Sequence, residues 1–280
     1  MIQTKESILE RCEEILRYKS DVLLAHEIET VNLVSTQLSM SLNIESSSGV
    51  AEFPPARSSE MKLSMGKTFH ANSNQELVSN PDTYVSFLYY VLVDVEISAM
   101  EICAHMILSN KSMPIEFTLD ITKQIWDEAR HAQFIYELFL KTGGRIRDHS
   151  YTNTVIDRYL HSETLLEALI IQQILQEGNA VEVNLSLIEE LLSLKRLSEA
   201  NAFYNINNDE AYHVTIGNKW INYLVMADEI QEEELLQIML AAADKIDIPL
   251  FGKGGWNSEI RELVGFPSWF IEVRDRIFSS

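Results

Sequence analysis

The sequence has few of the residues that interrupt helices or build disulfide and thiolate metal sites. It contains 10 Gly, 6 Pro and 2 Cys in 280 residues. Two cysteines, Cys12 and Cys103, are too few for a disulfide scaffold or a cysteine-rich zinc site, so we expect inert, buried thiols. The scarcity of Gly and Pro favours a helical protein.

Long apolar runs and an excess of positive charge are also absent. The longest apolar stretches, such as 87–93 and 168–171, are far shorter than the roughly 20 residues that span a bilayer. The first residues lack the apolar core of a signal peptide, so we expect a cytoplasmic protein. The formal net charge of −20 repels phosphate backbones and anionic lipid, so neither nucleic acid nor a membrane surface is an expected partner.

The hydrophobic pattern predicts an all-α protein. No convincing alternating strand pattern appears, and between about 42 and 79 the periodicity fades into an extended arm. We expect the third of the long helices to be interrupted near Gly178 and Asn179. The predicted helical stretches are 5–41, 80–109, 114–141, 162–194, 197–226 and 229–244.

These stretches predict a single domain over residues 1–280. Its centre, 80–226, is expected to be a four-helix bundle that carries the functional site. Amino-terminal helices and the arm (1–79) precede this bundle, and a further helix and tail (227–280) follow it. The additional segments are typical of pocket covers or interface elements, and a homodimer is compatible with them.

The phrase Asp-Glu-Ala-x-His occurs twice, 82 positions apart. In each copy a Glu precedes a His by three residues, as Glu128 with His131 and as Glu210 with His213. On a helix this spacing places both side chains on one face, where they can bind one metal ion. A single pair of this kind is commonly solvated, but two copies on separate apolar helices favour a metal site.

A di-metal carboxylate bundle takes one more carboxylate from each of the other two helices. The third helix offers Glu177, in a run so apolar that a lone carboxylate needs a reason. The first helix offers Glu96 and Glu101, which are about 140° apart on a helix and cannot enter one site equally well. Glu96 and Glu177 lie 32 and 33 residues before the Glu of their respective Glu-x-x-His pairs, which favours Glu96. A ligand set that uses Glu101 and His105 is the alternative.

The ligand chemistry indicates iron or manganese. Two divalent cations and four ionised Glu side chains form a neutral cluster, and oxygen-rich ligation with one imidazole per metal suits these two elements. The Asp before each Glu, Asp127 or Asp209, is expected to accept a hydrogen bond from a ligating His and fix its ring.

The ligand order Glu96, Glu128-x-x-His131, Glu177, Glu210-x-x-His213 resembles that of the ferritin-like superfamily of di-iron carboxylate proteins. The segments "VEISAMEIC", "DEARHAQF", "LQEGNAVEV" and "PLFGKGGWNSEIRELVGFPSWF" look like a bacterial ferritin-like family of unknown function. The resemblance implies a ferritin-like bundle and its metal site but not a substrate.

Two ferrous ions held mostly by oxygen ligands can share the two-electron reduction of O₂. We therefore expect a non-haem di-iron oxidase or oxygenase, an enzyme whose partners are O₂ and a small organic substrate. Its cofactors would be two iron ions, or manganese or a mixed iron–manganese pair. The alternative function is iron storage or detoxification without an organic substrate. A metal-free helical interaction protein would leave the repeated phrase unexplained.

Overall fold

The computed structural model describes Phe53 and residues 61–248, 258–263, 266 and 269–272. The helices predicted over 5–41 lie outside the described residues. Within them the chain is mostly helical, which confirms the all-α prediction, while the four-helix bundle stays a prediction. None of the described helices combines the length and the apolar character needed to cross a membrane.

The described elements follow one another in a simple order, with two π-helical segments inside long helices. They are β1 (Lys62–Leu63), α1 (Asn74–Ser79), α2 (Pro81–Tyr90), the first π-helical segment (Val91–Ile97), α3 (Ser98–Ser109), α4 (Ile115–Lys141), a 3₁₀ turn (Ile146–Asp148), β2 (Ser150–Tyr151), α5 (Thr154–Tyr159), α6 (Leu165–Leu169), the second π-helical segment (Ile170–Glu177), α7 (Gly178–Ser193), α8 (Leu197–Ala227), α9 (Glu232–Lys245) and α10 (Ser258–Leu263).

The ends of the long helices agree with the sequence prediction because local chemistry fixes them. Asn80 caps α2, since its side-chain oxygen accepts hydrogen bonds from the backbone N–H groups of Asp82 and Thr83, both at 3.1 Å. After the C-terminal end of α4, Gly143 takes a φ of +91° and Gly144 N–H donates to Phe139 C=O at 2.8 Å. This hydrogen-bond pattern ends α4 at Lys141, where the predicted stretch 114–141 also ends.

The expected interruption at Gly178 and Asn179 is wrong. Gly178 has helical dihedral angles (φ −59°, ψ −35°), and helical structure continues from Leu165 to Ser193. The glycine instead makes room for a side chain, because a Cβ at this position would lie 2.4 Å from Arg261 Nη1. Arg261 is buried and forms an ion pair with Glu182 at 3.1 Å.

The extended arm predicted up to residue 79 contains short regular elements. Ser73 caps α1 by accepting a hydrogen bond from Glu76 N–H at 3.1 Å. Strand β1 pairs in parallel with β2, Lys62 opposite Ser150 and Leu63 opposite Tyr151. Two residues per strand are too few for an alternating pattern, which is why the sequence does not reveal them.

The chain divides into two compact units between Ile156 and Asp157. In the first unit α4 packs against α2, α3 and the first π-helical segment. In the second, α8 packs against α6, α7 and the second π-helical segment. Helix α9 also packs against the second π-helical segment. Each unit therefore contains one helical hairpin with one copy of Asp-Glu-Ala-x-His. The single domain over 1–280 stays a prediction.

Within the second unit, Gly217 allows an unusually close approach of two helices. A Cβ at this position would lie 2.3 Å from Gln173 Cβ and 3.6 Å from Gln173 Cα. Gly217 follows His213 by four residues, and Gln173 precedes Glu177 by four. The close contact therefore lies about one helical turn after His213 on one helix and about one turn before Glu177 on the other.

We expect Gly217→Ala to destabilise the protein. Helix propensity alone would favour alanine by roughly 0.5–1 kcal/mol, but the added methyl group overpacks the contact with Gln173 and costs about 1–3 kcal/mol. Urea denaturation followed by circular dichroism measures the change in the free energy of unfolding.

Gly66→Ala is the control. Nothing lies within 4 Å of a Cβ at Gly66, so its free energy of unfolding should stay within about 0.5 kcal/mol of the wild type. A Gly217→Ala variant that is more stable than the wild type would contradict the close approach.

Candidate metal centre

The first unit brings three of the predicted ligands together, and we call them the first triad: Glu96, Glu128 and His131. One helical turn of α4 joins Glu128 and His131, and His131 Nδ1 lies 3.1 Å from Glu128 Oε2. The same nitrogen lies 3.3 Å from Glu96 Oε2, on the first π-helical segment. One ligand atom from each of the three residues lies within 4.8 Å of the others, and all three side chains are buried.

The second unit repeats this arrangement in the second triad: Glu177, Glu210 and His213. Glu210 and His213 lie one turn apart on α8, with His213 Nδ1 3.0 Å from Glu210 Oε2. Glu177 ends the second π-helical segment. Again one ligand atom from each residue lies within 4.8 Å of the others, and all three residues are buried.

In both triads the Glu that lies outside the Glu-x-x-His pair comes from a π-helical segment. Glu96 is the sixth of seven residues in the first segment, and Glu177 is the last of eight in the second. A π-helical backbone bonds residue i to i+5 instead of i+4, which turns the following side chains relative to an α-helix and is frequent at functional sites. The sequence contains no pattern that predicts these segments.

The buried groups of the first triad fit a cation. Burial raises the pKa of the Glu96 carboxyl to about 7, against an opposing effect of His131. Glu96 Oε2 is fully buried and meets no donor in hydrogen-bonding geometry within the described part of the chain. Its contact with His131 Nδ1, at 3.3 Å, lacks this geometry, and a buried carboxylate oxygen with so weak a partner is costly unless a cation meets it. Two carboxylates and one imidazole are a ligand set that could hold a divalent metal ion.

Side-chain amides support one carboxylate in each triad, and sequence reasoning missed them. Gln124 Nε2 donates to Glu128 Oε1 at 3.3 Å, and Gln172 Nε2 donates to Glu177 Oε1 at 2.6 Å. Both glutamines are buried. Two glutamines inside the apolar run "LIIQQILQE" were the available signal, because a buried amide needs a partner as much as a carboxylate does.

The structure brings Glu96, not Glu101, to the first triad. Glu101 is also buried, but among the described residues neither triad includes it or His105. The His105 ring stacks on Phe53 with 4.1 Å between centroids, and its Nε2 lies 3.2 Å from Ser109 Oγ. Burial lowers the pKa of His105, which favours a neutral imidazole.

The two aspartates of the repeated phrase differ in their surroundings. Asp127 is buried and forms ion pairs with Lys123 and with Arg130, the latter at 2.6 Å. Asp209 is partly exposed. Their expected role in orienting a histidine stays a prediction.

A further buried carboxylate, Asp94, anchors the first π-helical segment. Its oxygens accept hydrogen bonds from Thr152 N–H at 2.8 and 3.0 Å and from Thr152 Oγ1 at 2.7 Å. Asp94 lies two residues before Glu96, so these bonds hold the backbone that carries the ligand. The sequence does not reveal this link, because the two partners are 58 residues apart.

Residues 19–272 match the sequence profile of a family described as "Protein of unknown function (DUF455)". No curated protein and no solved structure matches the chain. The function therefore has to be inferred from the two triads.

We expect Glu96→Gln to weaken metal binding while Glu101→Gln leaves it unchanged. The first substitution removes a charged ligand oxygen from the first triad, whereas Glu101 lies outside both triads. Equilibrium dialysis of the metal-free protein against Mn²⁺, followed by elemental analysis, gives the metal bound per chain. Circular dichroism shows that each variant is folded. The opposite ranking of the two variants would make Glu101 the ligand.

Proposed function

Because the chain belongs to DUF455, a family without an established function, we propose from the site itself that it is a non-haem di-iron enzyme of the ferritin-like type. In this proposal it is an O₂-dependent oxidase or oxygenase that acts on a small organic substrate. The observation that carries the proposal is the repetition of one buried ligand set, Glu with Glu-x-x-His, in both units.

The ligand set supports two metal ions per chain. Each triad offers two carboxylates and one imidazole, which together suit iron or manganese. Four Glu side chains balance the charge of two divalent cations. What joins the two triads into one di-iron centre in this proposal is the order of the ligands in the sequence, which resembles the ferritin-like order.

A bound ferrous pair supplies two electrons for the reduction of O₂. The protein's own contribution is to hold the metals and to keep water away from them. In the first unit three apolar residues of the π-helical segment that carries Glu96 are buried: Leu92, Val93 and Ile97. In the second unit Ile174 and Val214 are buried beside the ligands in the same way. These apolar side chains exclude water from the carboxylates and the imidazoles, which strengthens metal binding and limits side reactions.

We expect the protein to bind two ferrous ions per chain under anaerobic conditions and then to consume O₂. After unbound iron has been removed, an oxygen electrode should record repeated O₂ uptake in the presence of ascorbate as reductant. Glu177→Gln should reduce the bound iron from two ions to one and lower the rate of O₂ uptake at least about tenfold, because even the loss of a residue that only supports a metal ligand typically costs about 10- to 100-fold. Glu101→Gln is the matched control and should retain both iron ions.

The same titration separates the alternatives. Uptake of many iron ions per chain, with deposition of ferric mineral, would indicate storage or detoxification. Absence of iron and manganese binding would indicate a metal-free helical protein. Two bound iron ions without O₂ uptake would contradict the enzymatic part of the proposal alone.

A further inference from the structure

We propose that the two triads load metal in a fixed order, the second triad first, because a side-chain amide holds Glu177 in place whereas Glu96 has no amide donor among the described residues. This order presupposes the proposed binding of two metal ions.

Two glutamines form a chain of hydrogen bonds that ends on Glu177. Gln176 Nε2 donates to Gln172 Oε1 at 2.9 Å, and Gln172 Nε2 donates to Glu177 Oε1 at 2.6 Å. The first bond fixes which end of the Gln172 amide faces the ligand, because its oxygen is already an acceptor. Gln172 and Glu177 are both buried, so water competes little for these bonds.

The second π-helical segment makes this contact geometrically accessible. Gln172 and Glu177 are five residues apart. On an α-helix that spacing turns the two side chains about 140° away from each other. In a π-helical segment the backbone hydrogen bonds join residues i and i+5. Side chains five residues apart therefore lie much closer to the same face of the helix. The amide and the ligand are thus paired by the backbone itself.

Among the described residues of the first unit, Glu96 has no support equivalent to that of Glu177. The position five residues before Glu96 is Val91, at the start of the first π-helical segment. Within the described residues, no side-chain amide donates to Glu96, and its Oε2 is buried without a hydrogen bond. The amide of this unit, Gln124, donates instead to Glu128, which the Glu-x-x-His spacing already holds.

Because of these differences, the carboxylate of Glu177 is better preorganised for metal binding than that of Glu96. The Gln172 amide holds Oε1 of Glu177 and thereby restricts the orientation of this carboxylate. Binding there requires little further ordering of the side chain, whereas Glu96 has to be ordered as the metal binds. Partners of this kind around a metal ligand typically change affinity by about 10- to 100-fold.

Titration of the metal-free protein with Mn²⁺ tests the order, because the electron paramagnetic resonance signal of aqueous Mn²⁺ reports the unbound ion. We expect two binding steps whose dissociation constants differ at least about tenfold. Gln172→Met, which keeps the length but removes the donor, should weaken the tighter step about 10- to 100-fold and leave the weaker step unchanged. Glu96→Gln should remove the weaker step only.

Each result decides between the order and its alternatives. Two equal steps in the wild type, or a folded Gln172→Met protein with an unchanged tighter step, would overturn the order while two-metal binding stands. Loss of the tighter step in Glu96→Gln would reverse the order. Absence of Mn²⁺ binding would overturn the proposed function as well. If Gln172→Met does not fold, Gln176→Met, which frees the Gln172 amide to turn, should weaken the tighter step; an unchanged tighter step would overturn the order.

Discussion

The burial of carboxylates beside an imidazole is the constraint on which the rest of each unit depends. Ionised carboxylates inside a protein are strongly unfavourable unless a cation or several donors meet them. In the first unit this cost is visible as the raised pKa of Glu96, about 7, and as its buried Oε2, which forms no hydrogen bond of good geometry within the described residues. A divalent cation satisfies both needs at once. The long helices that carry the triads bury these carboxylates away from water.

The π-helical segments connect this constraint to the backbone. A regular α-helix presents one set of faces, and a π-helical segment changes that set locally without ending the helix. In the first unit Asp94 and Thr152 fix the segment from outside through hydrogen bonds to a distant loop. In the second unit the segment is held from within, through the Gln172 amide and the close approach of Gln173 to Gly217. Each π-helical segment thus positions a buried Glu, but different contacts hold the two segments in place.

The helix boundaries and the two Glu-x-x-His pairs were accessible from the sequence because they depend on local chemistry. Asn80 with its proline, and Gly143 with Gly144, act within a few residues of their own position. The π-helical segments were not accessible, because no sequence pattern marks them, and the Asp94 link joins residues 58 positions apart. The glutamines in the apolar run indicated a buried amide, but the contact of Gln172 with Glu177 depends on the π-helical backbone. Gly178 shows why one signal can mislead: a glycine in a helical pattern indicates either an interruption or a close neighbour. Only the position of Arg261 decides between them.

The two copies of the repeated phrase keep their ligands but differ around them. Val91 in the first unit corresponds to Gln172 in the second, and Ile135 corresponds to Gly217, by distance from the respective ligands. In the first unit an apolar side chain fills each of these positions, whereas the second unit uses an amide and a missing side chain. Since the two triads offer equal ligand atoms, any difference between them in metal binding would come from the neighbouring residues. Two triads of equal composition can therefore still differ in their affinity for a metal ion.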